Sequence, residues 1–317
     1  MINKYLSFGI LSGVTLYLFF LTAISSIRDN FFVFLLLLFL ALGIFHSIFV
    51  EFKSIKNIKN KKNNFDFLNF ISLILGDGAY ILNIYLNQGA IIAASLVGIV
   101  GALLVNKRAV AIYTGAFVGM VSPELLHDFS HILITCIIAG IIFEFANEVF
   151  NGIGGKLGTI AFSSWIILFI TSDLNLINPT MIGTLSLEIF LISLIGVLST
   201  YFLHIYLKKD VVGSSAIVSL IGALILPQIF PQSNSNLSVL MMAATFAGMS
   251  SKERLENFYE IFLIAFFVAV FFVYSYTHLG GGGGKLGTIA FGCVLGSNGI
   301  IRIIKYFKKN YQNFLNL

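Results

Sequence analysis

The chain has 317 residues, of which 58% are hydrophobic and 10% charged, with a mean hydropathy of +0.95. A water-soluble domain is about 45–50% apolar and roughly 25% charged. A chain with so little charge cannot cover its own surface in water, so the composition excludes a soluble fold and implies an all-α integral membrane protein in a lipid bilayer. The positive balance of 19 Lys and Arg against 14 Asp and Glu does not indicate nucleic acid, because in a membrane protein such a surplus marks the cytoplasmic loops.

In chain order, apolar runs predict helices over 5–26, 31–50, 67–86, 89–105, 109–122, 131–150, 157–172, 187–207, 212–226, 236–249, 258–278 and 286–304. The first is long enough to span and lacks a small-residue cleavage site, so no cleaved signal peptide is expected. The runs 109–122, 157–172, 212–226 and 236–249 are shorter than the ~20 residues of a full span and raise the prospect of half-helices or re-entrant segments. If the N-terminus is cytoplasmic and all twelve runs cross, seventeen of the 19 basic residues fall on the inner side. Only Arg28 and Lys285 fall outside, and all four prolines lie in outer loops. The expectation is twelve crossings with both termini cytoplasmic, in a bacterial cytoplasmic membrane.

The sequence repeats itself. Gly154–Phe162 reads GGKLGTIAF, and Gly283–Phe291 reads the same 129 residues later. Phe117–Met120 (FVGM) matches Phe246–Met249 (FAGM) at that offset, while Ile84–Leu86 matches Ile205–Leu207 at an offset of 121. Each copy holds five predicted helices, an odd number, so the copies would enter the membrane from opposite sides. This divides the chain into an N-terminal two-helix appendage (1–66), repeat A (67–183) and repeat B (184–317). In topology alone, residues 67–304 resemble bile-acid/sodium symporters, sodium/calcium exchangers and urea transporters, which implies a secondary transporter or solute channel. The glycine-rich segments are also similar to those of bacterial glutamate and citrate carriers, where they are re-entrant. Here the stretch from Phe150 to Thr184 has room for one helix but not for an added hairpin.

The duplicated segment carries the strongest chemical signal. Gly154, Gly155, Lys156, Gly158 and Thr159, with Gly283, Gly284, Lys285, Gly287 and Thr288, place glycines and an ammonium beside a helix start. Free N–H groups and the positive end of the dipole there suit an anion. Tight helix packing by the glycines and lysines reaching for headgroups is the plainer explanation. Lys285, outside against the positive-inside bias, fits that explanation less well than Lys156.

Asp77, in the GDGAY stretch of the third predicted helix, aligns with Leu198. A carboxylate at that depth costs about 2.5–3.5 kcal/mol on insertion scales, so it needs a cavity, a partner or a coupling proton or sodium ion. Glu144 and Glu148 share a helix face, and either could pair with Lys156. Glu144 is the deeper and is a second coupling candidate. His127 and His131, with Glu124 and Asp128, have spacing a metal could use, although a solvated helix start is the simpler explanation, and no metal or cofactor is expected. Asn83 and His204 align as a polar position on the first helix of each copy. Cys136 and Cys293 lie in apolar runs and imply no disulfide framework.

The expected function is a non-enzymatic secondary transporter of a small anionic or zwitterionic solute. A passive facilitator of the same architecture and a non-transport membrane subunit are the alternatives, and oligomers are compatible with either.

Overall fold

The structure, a computed structural model, describes residues 2–57, 65–125, 129–172, 177, 185–233 and 236–315. Twelve α-helices form among them, one at each apolar run. These are α1 (Ile2–Asp29), α2 (Phe31–Asn57), α3 (Phe67–Gly76), α4 (Ala90–Leu104), α5 (Ala109–Val118) and α6 (Phe129–Phe145), then α7 (Lys156–Thr171), α8 (Leu187–Tyr201), α9 (Val211–Ile229), α10 (Asn236–Gly248), α11 (Phe258–Ser275) and α12 (Lys285–Leu315). No strand forms among the described residues; one isolated antiparallel bridge joins Ile177 to Gly280. Side-chain oxygens of Asp66, Ser186 and Asp210 accept backbone N–H groups at the starts of α3, α8 and α9. Each satisfies a donor that has no carbonyl one turn earlier.

Among the described residues, seven helices are long and apolar enough to cross a membrane: α1, α2, α3 with its continuation to Tyr85, α8 with its continuation to Tyr206, α9, α11 and α12. Of the twelve expected crossings, length and composition support these seven. α4, α6, α7 and α10 are apolar but shorter, and α5 has 10 residues. The chain breaks before these helices reach full length. α6 stops at Phe145, ahead of the turn through Asn151 and Gly152, and α5 stops at Val118, ahead of Gly119.

The outward surface is apolar. Phe20, Phe31, Leu42, Leu103, Leu104 and Leu187 are exposed, which suits lipid rather than water as solvent. The largest buried side chains lie further in, on α5, α7, α10, α11 and the first half of α12: Tyr113, Phe117, Trp165, Phe246, Phe271 and Phe291.

The N-terminal pair packs closely onto the rest. A Cβ on Gly43 of α2 would strike the Gly296 carbonyl of α12, and one on Gly299 would strike the Gly43 carbonyl. Small residues let two backbones approach this closely in a membrane. Arg254 donates to both Glu51 carboxylate oxygens, at 2.5 and 3.1 Å, and Lys4 forms an ion pair with Glu148.

Backbone irregularities recur at the repeat offsets. A π-helical turn spans Ile81–Tyr85 and another Phe202–Tyr206. Left-handed residues pair as Asn87 with Lys208, Phe150 with Leu279, and Gly155 with Gly284.

Candidate functional site

The two GGK segments meet inside the protein. Gly158, in the first turn of α7, lies against Gly287, in the first turn of α12; a Cβ on Gly158 would fall 2.7 Å from the Gly287 Cα. A Cβ on Gly155 would strike the Gly287 carbonyl, and one on Gly284 the Gly158 carbonyl. Both Gly155 and Gly284 hold φ near +85°, a conformation glycine adopts without steric cost. The ends of α5 and α10 pack against these same segments. Because α7 starts within the fold instead of at its edge, its first turn can reach that of α12.

Each GGK segment also abuts the end of a short helix from the other copy. A Cβ on Gly154 would collide with the Phe246 and Ala247 carbonyls of α10, and one on Gly283 with the Phe117 and Val118 carbonyls of α5. The Ser251 N–H donates to the Gly152 carbonyl at 2.9 Å, and the Ser122 N–H to the Gly281 carbonyl at 2.8 Å. Every one of these contacts is reciprocal at the 129-residue offset.

Both lysine ammonium groups are engaged. Lys156 Nζ donates to the Ala146 carbonyl at 2.6 Å and to Asn151 Oδ1 at 3.4 Å. Lys285 Nζ donates to the Ser275 and Tyr276 carbonyls, at 2.7 and 3.0 Å, and to the His278 carbonyl. Each lysine thus satisfies carbonyls left open where the preceding helix ends. The expected pairing of Lys156 with Glu144 or Glu148 does not form. Glu144 Oε2 accepts the Asp66 N–H at 3.1 Å, and Glu148 is taken by Lys4. Among the described residues, neither Lys156 nor Lys285 has a carboxylate within 4.0 Å.

Two cavities flank this meeting point. One, of about 350 Å³, is lined by Gly280–Lys285, Asn83, Met120, Val239 and Ala90. The other, of about 200 Å³, is lined by Gly152–Gly158, Met249, Val110 and Val211. These linings correspond at the repeat offsets: Val239 with Val110, Met120 with Met249, Ala90 with Val211, Lys285 with Lys156. Phe117 and Phe246 both line the smaller cavity, and the Phe117 carbonyl abuts Gly283 in the wall of the larger. Their rings lie 4.6 Å apart between centroids. Tyr113 packs on both rings, 4.2 Å from Phe117 and 6.2 Å from Phe246. Behind it, Ser215 donates to Thr245 Oγ1 at 3.0 Å, and Ser219 lies 2.9 Å from the same oxygen. The ring pair was visible in sequence as the matched FVGM and FAGM, but nothing there shows that the two rings pack on each other.

Asn83 and His204 play matched parts. Asn83 Nδ2 donates to the Gly119 and Val121 carbonyls, at 3.3 and 3.1 Å. His204 Nε2 lies 3.0 Å from the Gly248 carbonyl. Each sits in a π-helical turn and ties it to the end of α5 or α10.

Asp77 lies where α3 stops, in the turn before the π-helical segment. It is buried, and its Oδ1 has no hydrogen-bond partner. Thr288 Oγ1 is likewise buried and unpaired, whereas Thr159 donates to the Gly155 carbonyl at 3.1 Å.

At the ends of the bundle, the Arg108 guanidinium beside Asp66 holds that carboxyl below the usual carboxylate range. His278 Nε2 lies 2.8 Å from Ser25 Oγ; burial, with Lys285 nearby, lowers its affinity for a proton. His127 and Asp128 lie outside the described residues. Among the described residues no group of three or more His, Cys, Asp or Glu is placed to hold a metal, and both cysteines are buried and free. No family model, no curated protein and no solved structure matches the chain.

Proposed function

We propose that the chain is a secondary membrane transporter of a small anionic or zwitterionic solute, with two N-terminal helices and an inverted five-plus-five repeat. Twelve helices would traverse or enter the bilayer, both termini would be cytoplasmic, and the host membrane would be a bacterial inner membrane. The observation that carries this reading is the pair of cavities lined by corresponding residues of the two copies, with the Phe117–Phe246 ring pair packed at the smaller one. Reciprocal contact between equivalent residues is what a two-fold relation produces, and an odd number of helices per copy makes that relation an inversion in the membrane. Each cavity has a lysine with no carboxylate at ion-pair distance among the described residues. In low-dielectric surroundings such a charge creates a positive potential, which favours an anion over a cation. The solute would pass from one cavity to the other by displacing the ring pair.

The test is swelling of proteoliposomes in isosmotic potassium chloride, nitrate, phosphate, acetate or glutamate with valinomycin present, with and without a protonophore to return any co-transported proton. The expected outcome is anion-specific swelling that falls at least about tenfold, ~1.4 kcal/mol, in Lys285→Ala and in Lys156→Ala. Wild-type rates in both variants would refute the anion site. One observation favours a passive facilitator instead. The ammonium groups are already held by carbonyls, so neither needs a solute to complete it. A facilitator would swell at the same rate with and without an imposed pH or sodium gradient.

A further inference from the structure

Asp77 is an expensive residue with no structural use for one of its oxygens. The carboxylate is buried, Oδ1 is unpaired, and the aligned position in the second copy is Leu198. The repeat pattern thus does not require a carboxylate at this position, although α8 runs on through Leu198 where α3 stops before Asp77.

Its surroundings disfavour charge. α5 presents Gly115 and Gly119: a Cβ on Gly119 would fall 3.1 Å from Asp77 Oδ1, and one on Gly115 3.0 Å from the Asp77 backbone nitrogen. Its titratable neighbours are the Cys136 thiol of α6 and the Tyr80 phenol of its own segment. A thiol and a phenol are proton donors, not the cage of oxygens a hard cation takes. Gly119 follows the last residue of α5, whose carbonyl end is the negative pole of the helix. An ionised carboxylate is repelled there and a protonated one is not.

The place is also connected to the cavities. Gly119 touches Asp77 on one side, while its carbonyl accepts Asn83, which lines the larger cavity. Two residues before Gly119 is Phe117, half of the ring pair. The segment from Phe117 to Met120 therefore joins the Asp77 carboxyl, the wall of the larger cavity and the ring pair that lines the smaller one.

Resting on the transport reading, we propose that Asp77 is the proton-carrying site of this transporter, and that its protonation state sets the position of the α5 end bearing Phe117. An anion in the adjoining cavity favours the neutral carboxyl, and by reciprocity a bound proton favours the anion. Proton and anion then move in the same direction, and the proton, not sodium, is the coupling ion.

Two measurements test this, one of them independent of transport. Infrared difference spectra of the reconstituted protein, titrated from acid to alkaline pH, should show a protonated-carboxyl band in the wild type that is missing in Asp77→Asn. Loss of no band in the variant would overturn the proposal. In pyranine-loaded proteoliposomes, inward gradients of potassium nitrate, phosphate or glutamate with valinomycin should acidify the lumen. Asp77→Asn should abolish the acidification while downhill anion entry persists, and Asp77→Leu, the residue of the second copy, should fold and behave alike. Acidification unchanged in Asp77→Asn, or wild-type anion entry without acidification, would overturn the coupling. If none of the three anions enters wild-type vesicles, the transport reading fails with its coupling, and the infrared titration still decides whether Asp77 holds a proton.

Discussion

Lys285 and Lys156 occupy identical nine-residue sequences yet hold different numbers of carbonyls. Lys285 closes three at the end of α11, and Lys156 closes one, with an asparagine side chain added. A buried carbonyl left without a donor costs about 1–3 kcal/mol. Lys285→Ala is therefore expected to lower the melting temperature in detergent more than Lys156→Ala does. Scanning fluorimetry checks the order, and equal melting of the two variants would contradict the capping account. These caps also refine the anion-site idea. In the proposed transporter the lysines would act on a solute through their field, because their protons are already committed to backbone carbonyls.

At the scale of elements, the contact between α7 and α12 depends on glycine at two positions. A Cβ at Gly158 or Gly287 meets the other helix's backbone at 2.7 Å or closer to 2.5 Å, and backbone cannot swing aside as a flexible side chain can. Overpacking of this kind costs about 1–3 kcal/mol. Gly158→Ala and Gly287→Ala should each shift the unfolding midpoint down by a comparable amount, because the contact is shared. The double variant should cost less than the sum of the two, since the helices need to separate only once. Denaturant unfolding of the four proteins measures this coupling, and full additivity would argue against a shared crossing.

For the whole molecule, the proposed inversion makes a prediction about sidedness. Glu124 follows α5, and Asn151 follows α6; both are exposed. If the copies are inverted and the N-terminus is cytoplasmic, Glu124→Cys should react with an impermeant maleimide on intact cells. Asn151→Cys should react only after permeabilisation. The native Cys136 and Cys293 are buried, which keeps the background low. Labelling of both positions from the same side would rule out the topology. The contacts of Gly43 with α12, and of Glu51 with Arg254, further make the N-terminal pair part of the same packed body.

The sequence alone determined the membrane class, the position of each helix and the existence of two copies. Those properties follow from one-dimensional signals: run length of apolar residues, the count of charges and the exact recurrence of GGKLGTIAF. It also marked Asn83 and His204 as equivalent and Asp77 as costly, because polar residues in apolar runs are conspicuous. The tertiary structure alone decided where the lysines point, which carboxylates they avoid, and that the two GGK segments touch. Glu144 lies near Lys156 in sequence but bonds to the Asp66 backbone, since the start of α3 brings it an unsatisfied N–H. Helix ends are set by competition between backbone carbonyls, side-chain donors and glycine contacts from distant segments. A run of apolar residues records none of that competition, so it overstated the length of α5, α6 and α11 and left the meeting of α7 with α12 unseen.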